Sequence, residues 1–283
     1  MSHILRQFLN TILQIYHSES VNMVSGLYRH FHWQLRKILR TFPVELALSH
    51  SRVVLDRPCG VGALINSMGM YDYNNMSLVR FVLAHSGGVF FDIGANIGSY
   101  TLIAAEQANA IVVSFEPHPI SFRLLQFNVN LNSRTNVRLY NIALSNEQLL
   151  AFLTDVPELS VNRLTGISNG TELVVQCDTL DHFCEDQQII PKLVKIDVEG
   201  HEVSVLEGFR RHVDSVDALM VENGDSAGVL SFLKGRGFHG PFYVHFKKRT
   251  LTPHPQARAE DQIYISNRFG EELSNIGFTV TAQ

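Results

Sequence analysis

The feature that most constrains this chain is an alternation, from residue 89 onward, of short apolar runs with segments of helical length. Short apolar runs bounded by polar residues are typical of buried strands, and the longer segments have the apolar spacing of helices. Repeated strand-helix-strand units imply an α/β fold with a mostly parallel sheet and helices on both faces. The predicted strands are 89–93, 110–116, 137–144, 192–197, 218–222, 242–246 and 262–266, and the predicted helices are 99–107, 119–131 and 202–211.

The predicted strands differ in their surroundings. No helix separates the last two, so we expect an antiparallel hairpin at one edge of the sheet. Residues 149–154 and 173–177 alternate like exposed antiparallel strands, and the polar stretch between them, with the turn signal Asn169-Gly170, is predicted to be a loop. In parallel sheets ligands bind beyond the carboxyl ends of the strands, so the chemistry is expected there.

Composition predicts a globular protein. Hydrophobic residues make up 45% of the chain and charged residues only 18%, which indicates a sizeable buried core. No apolar run is long enough to cross a membrane and no secretory leader is evident, so we expect a cytoplasmic location with at most peripheral membrane contact. Three cysteines without metal-ligand spacing predict neither a disulfide framework nor a zinc site.

Charge divides the chain near residue 57. Residues 1–57 carry seven Lys or Arg and three Asp or Glu, whereas residues 58–283 carry sixteen and twenty-four. The first part has helical apolar spacing at 4–16 and 21–41, so we predict a basic amphipathic helical extension (1–57) joined to a main domain (58–283). Its apolar stripes could pack on the main domain, on a second subunit of a homodimer, or through residues 1–40 on an anionic membrane. We favour the first two.

The segment directly after the first strand is predicted to bind a cofactor. Gly94 and Gly98 allow a tight turn, Asn96 tolerates positive φ, and the following helix offers free N–H groups to an anion. The glycine spacing differs from the dinucleotide pattern G-x-G-x-x-G. Asp92 can orient an ammonium while backbone N–H groups bind a carboxylate, which fits the methionine half of S-adenosylmethionine. A tight turn without a ligand is the alternative.

Two further strand ends are expected at an adenosine. Glu116 ends the second strand twenty-four residues after Asp92, where a carboxylate can accept hydrogen bonds from both ribose hydroxyls. The small residues Ala143 and Ser145, at the end of the third strand, are expected beside the adenine. Since nicotinamide cofactors also contain adenosine, these positions do not choose between the two cofactors.

The fourth strand ends in a cluster of ionisable residues. Alternation places Lys195, Asp197 and Glu199 on one side of the strand line, and His201 follows closely. Asp197, Glu199 and His201 are therefore candidate catalytic bases. For the carboxylates the alternative is capping of the next helix, and His201 could be an ordinary surface residue. A divalent cation on Asp197 and Glu199 is disfavoured because two carboxylates are too few, so no metal is predicted.

Several segments together resemble the FkbM-type methyltransferases over about residues 60–270. The resemblance implies a Rossmann-like class I methyltransferase fold with seven strands, the cofactor S-adenosylmethionine, and methylation of a hydroxyl group, often on sugars, glycolipids or natural products. It assigns Asp92, Gly94, Ala95, Asn96, Gly98 and Glu116 to the cofactor, and Asp197 and Glu199 to the acceptor side. The matching segments are FDIGANIGSYTL (91–102), FEPHP (115–119), NIALSN (141–146), CDTLDHF (177–183) and KIDVEGHEVSVLEG (195–208).

Other functions predict different sequence features. A nicotinamide-dependent oxidoreductase would carry G-x-G-x-x-G in the first loop, and a non-catalytic binding protein would not need the intact Asp92, Glu116 and Asp197. Nucleic acid is not expected as a partner, because the main domain is acidic and the fourth strand ends without an aromatic residue to stack on a base. The leading prediction is an O-methyltransferase for a small-molecule, glycan or lipid-linked acceptor.

Overall fold

The computed structural model describes residues 12–281 apart from 14, 17, 19, 157–161, 166–169 and 255–260. Its helices are α1 (Met23–Leu39), α2 (Gly60–Met68), α3 (Tyr73–Ser86), α4 (Ser99–Ala105), α5 (Pro119–Leu131), α6 (Leu180–Gln187), α7 (Glu202–Glu207), α8 (Ala227–Gly235) and α9 (Asn267–Asn275). Its strands are β1 (Val44–Leu48), β2 (Ser51–Leu55), β3 (Gly88–Ile93), β4 (Ala110–Phe115), β5 (Val137–Tyr140), β6 (Ala143–Leu144), β7 (Leu149–Leu153), β8 (Leu164–Thr165), β9 (Leu173–Asp178), β10 (Leu193–Ile196), β11 (Ala218–Val221), β12 (His239–His245), β13 (Thr250–Thr252), β14 (Gln262–Ile265) and β15 (Thr279–Val280).

A nine-stranded sheet forms the centre, in the order β15-β13-β12-β14-β11-β10-β3-β4-β5. The five strands from β11 to β5 are parallel, as the strand-helix-strand pattern predicts, and β14 runs antiparallel to both neighbours. The sheet therefore has two more strands than the resemblance implies. The predicted pair β12 and β14 is antiparallel but does not end the sheet, because β13 and β15 continue it.

Both faces of the parallel strands are buried, which explains their continuous apolar sequence. Successive residues of β3 show this: Phe90 belongs to one hydrophobic cluster and Phe91 to the other. Helices α3, α4 and α5 cover the first face, whereas α6, α7 and α8 supply residues of the second cluster. The main sheet thus lies between two helical layers, with the carboxyl ends of its five parallel strands on one side.

A second, four-stranded sheet has the order β6-β9-β7-β8. The predicted third strand, 137–144, is divided between the two sheets: β5 lies in the main sheet and β6 pairs with β9. The antiparallel pair expected at 149–154 and 173–177 is present as β7 and β9. The predicted loop between them lies partly outside the described residues, including Asn169 of its turn signal.

The N-terminal part is not entirely helical, which corrects the predicted all-helical extension. Residues 44–55 form the antiparallel hairpin of β1 and β2, in which buried and exposed residues alternate. Alternation of this kind favours a strand, and the basic helical stretch ends before it at Leu39. Of the predicted helical stretch at 4–16, residues 12, 13, 15 and 16 are helical, and the others lie outside the described residues.

The described N-terminal part packs on the main domain. Trp33 of α1 and Leu55 of β2 belong to the same hydrophobic cluster as Phe90 of the main sheet. The backbone N–H of Val54 donates to Asn128 Oδ1 of α5 over 2.8 Å, which fixes the hairpin against that helix. Within the described ranges, no helix is both long enough and apolar enough to span a bilayer.

Candidate active site

A pocket opens at the carboxyl ends of β3, β4, β10 and β11, where the strand pattern predicts ligand binding. The small sheet contributes Leu153 and Leu164 to one wall, and α2 contributes Val61. Nine of the eleven predicted site residues line this pocket, and Gly98 and Ser145 lie outside its lining. The nine are Asp92, Gly94, Ala95, Asn96, Glu116, Ala143, Asp197, Glu199 and His201.

The loop between β3 and α4 turns tightly around Gly94. This residue has φ +79°, and a Cβ placed there would lie 1.8 Å from the carbonyl oxygen of Asp197. Glycine is therefore required because the end of β10 passes directly against the loop. Gly98 has φ +97°, and a Cβ there would lie 2.7 Å from Leu125 of α5, so close packing also requires glycine at this position.

Glu116 is a buried carboxylate and not a solvated residue at the strand end. Its Oε2 accepts the backbone N–H of Asn96 over 2.7 Å, and its Oε1 accepts that of His118 over 2.9 Å. Burial raises the pKa of the carboxyl to about 7. These two backbone bonds fix the orientation of the carboxylate towards the pocket, and each oxygen keeps a lone pair for a ligand hydroxyl.

Asp92 is also buried, and a neighbouring hydroxyl group holds its carboxylate. Its Oδ2 accepts the hydroxyl of Thr101 over 2.6 Å, and burial raises the pKa of its carboxyl. Nearby, Asn96 has φ +52°, as the tolerance of this residue type allows, and its buried Oδ1 has no hydrogen-bond partner among the described residues. Two carboxylates and an unsatisfied amide oxygen fit a ligand with several donor groups. S-adenosylmethionine, with its ammonium and ribose hydroxyls, is such a ligand.

On the other side of the pocket three carboxylates converge. Oxygens of Asp197, Glu199 and Glu222 all lie within 4.8 Å of one another. Burial and the charge of Asp197 raise the pKa of Glu199 to about 7, and burial with repulsion from Asp197 and Glu199 raises that of Glu222 to about 8. Such a triad could bind a proton at neutral pH or hold a divalent cation.

The sequence does not identify Glu222 as a site residue. It follows β11, the strand next to β10, and only the sheet order brings it beside Asp197. The prediction that two carboxylates stand without a third is therefore wrong. The signal that could have identified Glu222 is its position directly after the apolar run ALMV, at the carboxyl end of a predicted parallel strand.

Helix capping is not the role that the structure gives Asp197. Lys195 Nζ lies 2.6 Å from Asp197 Oδ2, and the backbone N–H of Gly200 is bound by Glu202 instead. Glu199 departs from the predicted strand alternation, because β10 ends at Ile196 and Glu199 has φ +53°. The turn still carries its side chain into the pocket lining.

Lys195 is the centre of a buried network that sequence reasoning did not assign. Its ammonium lies 3.7 Å from Asp261 Oδ2 and 4.9 Å from the centre of the Tyr100 ring. Burial opposes the charge, but the carboxylates of Asp197, Asp261 and Asp92 raise the pKa of Lys195. Asp261 precedes β14 and is distant in sequence, so no local pattern indicates this contact. The network fixes Asp197 in place.

His201 and Ser145 form a pair at the edge of the pocket. Ser145 Oγ lies 2.9 Å from His201 Nε2, and burial lowers the pKa of the imidazole. His201 is the N-cap residue of α7 but makes no side-chain capping bond. It is therefore a half-buried pocket residue, and Ser145 contacts it from outside the pocket lining rather than standing in the wall itself.

The pocket lies at one edge of a mostly parallel sheet, whose first, second and fourth core strands are followed by or end in the acidic residues Asp92, Glu116 and Asp197. A family model, the methyltransferase FkbM domain, matches residues 92–239. The chain belongs to this family.

Two curated relatives and one solved structure illustrate the similarity. The chain is 30% identical over 148 residues to the hexuronic acid methyltransferase AglP of Haloferax volcanii, a match covering 51% of this chain and 60% of that protein. It is 27% identical over 175 residues to Methyltransferase 1 of Beauveria bassiana, covering 52% and 70%. A putative transferase from Pyrococcus horikoshii is 12% identical with a TM-score of 0.45, covering 84% of this chain and 82% of that one.

Proposed function

We propose that this protein is an O-methyltransferase that uses S-adenosylmethionine and methylates a hydroxyl group of a sugar, a glycolipid or another natural product. The observation that supports it is the convergence of the Asp197, Glu199 and Glu222 carboxylates in the pocket, where burial and mutual repulsion raise the pKa of Glu199 to about 7 and that of Glu222 to about 8. A hydroxyl group loses its proton when it is methylated, and a base works best when its pKa lies near the working pH. The pocket provides such bases.

On the cofactor side each residue has one task. Asp92 would bind the ammonium group of S-adenosylmethionine and Glu116 its ribose hydroxyls, and Ala143 would leave room for the adenine. S-adenosylmethionine, when bound, supplies a methyl group on a positively charged sulfur, which is already activated for transfer. The protein therefore needs mainly to hold the acceptor oxygen in line with that methyl group and to exclude water.

On the acceptor side the carboxylates orient the hydroxyl and take up its proton. Lys195 fixes Asp197 Oδ2, so Asp197 Oδ1 can accept the hydroxyl hydrogen bond in a constant position. Glu199, with a pKa of about 7, can take the proton, and Glu222 can share it. Ser145 holds His201, and burial lowers the pKa of its imidazole, so the neutral imidazole is a third candidate to accept the proton.

A cation in the pocket wall supports one class of methyl acceptor. Arg163 lines the pocket and lies close enough to Glu199 to lower the pKa of that carboxyl. A guanidinium can bind a carboxylate through two parallel hydrogen bonds. A sugar bearing a carboxylate would satisfy Arg163 while a ring hydroxyl faces Asp197, and the haloarchaeal relative is named for a hexuronic acid. We therefore place uronic acids first among sugar acceptors.

Calorimetric titration with S-adenosylmethionine and with NAD, each alone, tests the cofactor. We expect binding of the first only, and tight NAD binding without a response to S-adenosylmethionine would refute the proposal in favour of an oxidoreductase. Turnover is then followed as S-adenosylhomocysteine release with glucuronic acid, glucose and their glycosides, and NMR of the product shows whether the new methyl group is on oxygen. Methyl groups found only on nitrogen or carbon would contradict O-methylation.

A further inference from the structure

Helix α1 has two unlike faces. Trp33, His30 and Gly26 are buried against the rest of the protein, as expected for a packed amphipathic helix. On the opposite face large apolar side chains lie in solvent at helical spacing, which is unusual for a globular surface. They are Val24, Tyr28, Phe31 and Ile38, which are 79%, 70%, 69% and 76% exposed. We call these four residues the apolar stripe.

The charge of the same helix is of one sign. Between residues 20 and 44 the chain contains no Asp or Glu. It contains four basic residues, of which Arg29 and Arg36 lie on the helical flank between the apolar stripe and the buried face; the others are Lys37 and Arg40. The exposed side of α1 is therefore apolar in the middle and basic at its margin.

This arrangement fits an anionic lipid surface better than a second copy of the chain. In a symmetric dimer the same patch meets itself, so the Arg29 and Arg36 flanks would meet like charges without an acidic residue of α1 to balance them. An anionic bilayer complements both parts of this surface, because its apolar layer can bury the apolar stripe and its negative headgroups can bind the arginines. We propose that α1 is a docking surface for an anionic membrane, on which the helix lies flat.

The position of α1 relative to the pocket makes such docking useful. Helix α1 packs on α2, where Leu55 and Trp33 surround Gly62 of α2. The same helix α2 contributes Val61 to the pocket wall. A protein docked through α1 would thus keep its pocket one helix away from the lipid surface, within reach of an acceptor carried there. The docking itself does not depend on the proposed reaction.

Co-sedimentation of the full chain with vesicles tests the proposal. We expect binding to phosphatidylcholine vesicles containing phosphatidylglycerol, little binding to phosphatidylcholine alone, and release as salt is raised. The double variant F31Q/I38Q removes half of the apolar stripe and should abolish binding. The double variant R29Q/R36Q should weaken binding about thirtyfold, the combined contribution of two cations at an anionic surface.

A matched control distinguishes docking through α1 from nonspecific binding of an exposed aromatic side chain to vesicles. Phe127 of α5 is another exposed helical aromatic, 52% exposed, so F127Q should bind vesicles like the wild type. All variants should keep the thermal midpoint and the S-adenosylmethionine affinity of the wild type, because the changed side chains lie on the surface. The proposal is refuted if the wild-type protein does not bind anionic vesicles, or if F31Q/I38Q still binds them. A dimer that F31Q/I38Q dissociates, without vesicle binding, would assign the stripe to a second copy.

Discussion

Replacing Glu116 by Gln should make the protein more stable relative to wild type as the pH is raised, and it should weaken cofactor binding. Glu116 is only 7% exposed, and burial raises its pKa from 4.5 to about 7. One pKa unit corresponds to about 1.4 kcal/mol, so keeping this carboxylate charged costs the folded state about 3 kcal/mol. Since the folded pKa is the higher one, the cost is small near pH 4.5 and is fully present above pH 7.

The amide that E116Q introduces would avoid this cost because it does not ionise. Its single oxygen can accept the backbone N–H of Asn96 or of His118 but not both, so E116Q also loses one hydrogen bond, by an amount that does not depend on pH. Between pH 5 and pH 8 the free energy of unfolding of E116Q, relative to wild type, should therefore rise by about 2–3 kcal/mol. Cofactor binding should weaken by about 1–3 kcal/mol, because ribose hydroxyls lose a charged acceptor.

Urea unfolding at the two pH values and calorimetric titration with S-adenosylmethionine measure both effects. The matched control is Glu147→Gln, a change on the surface, which should alter neither. An E116Q protein that binds the cofactor like wild type would refute the ribose assignment. A stability difference that stays constant from pH 5 to pH 8 would refute the argument from burial.

Four other changes test the remaining parts of the site. Gly94→Val should weaken cofactor binding, measured by calorimetry, at least tenfold, because even a Cβ would lie 1.8 Å from the Asp197 carbonyl oxygen. The control is Gly200→Ala, at a glycine that also has positive φ but where a Cβ would have no atom within 4 Å. Equal effects of the two changes would refute the steric argument. Asp197→Asn should keep cofactor affinity and lose about 10²-fold in turnover; parallel loss of both would make Asp197 structural. In wild type kcat/KM should rise about tenfold per pH unit below about pH 7 and level off above it, as the Glu199 carboxylate forms, and an unchanged profile in E199Q would exclude Glu199 as the base. Methyl transfer should survive dialysis against EDTA because the Lys195 ammonium already balances Asp197; loss of activity restored by Mg²⁺ would assign the carboxylate triad to a cation.

The sequence by itself determined the elements whose causes are local. Apolar runs of strand length, separated by helical segments, were sufficient to predict the parallel core, because both faces of those strands are buried and the pattern needs no distant partner. It also placed Asp92, Glu116 and Asp197 in one pocket, since each lies at the carboxyl end of a strand and the ends of parallel strands meet at one edge. Gly94 was predicted from the tight turn alone, although the contact that requires glycine comes from Asp197.

Only the tertiary structure decided which distant groups meet. Glu222 joins Asp197 because β11 pairs with β10, and Asp261 reaches Lys195 because β14 returns beside β11; neither neighbour can be inferred from spacing along the chain. The pKa values depend on the same contacts, since burial and nearby charge are properties of the assembled core. The sequence also does not distinguish the two faces of α1, because apolar residues occur on both. The packing of α1 on α2 buries one face and leaves the other in solvent.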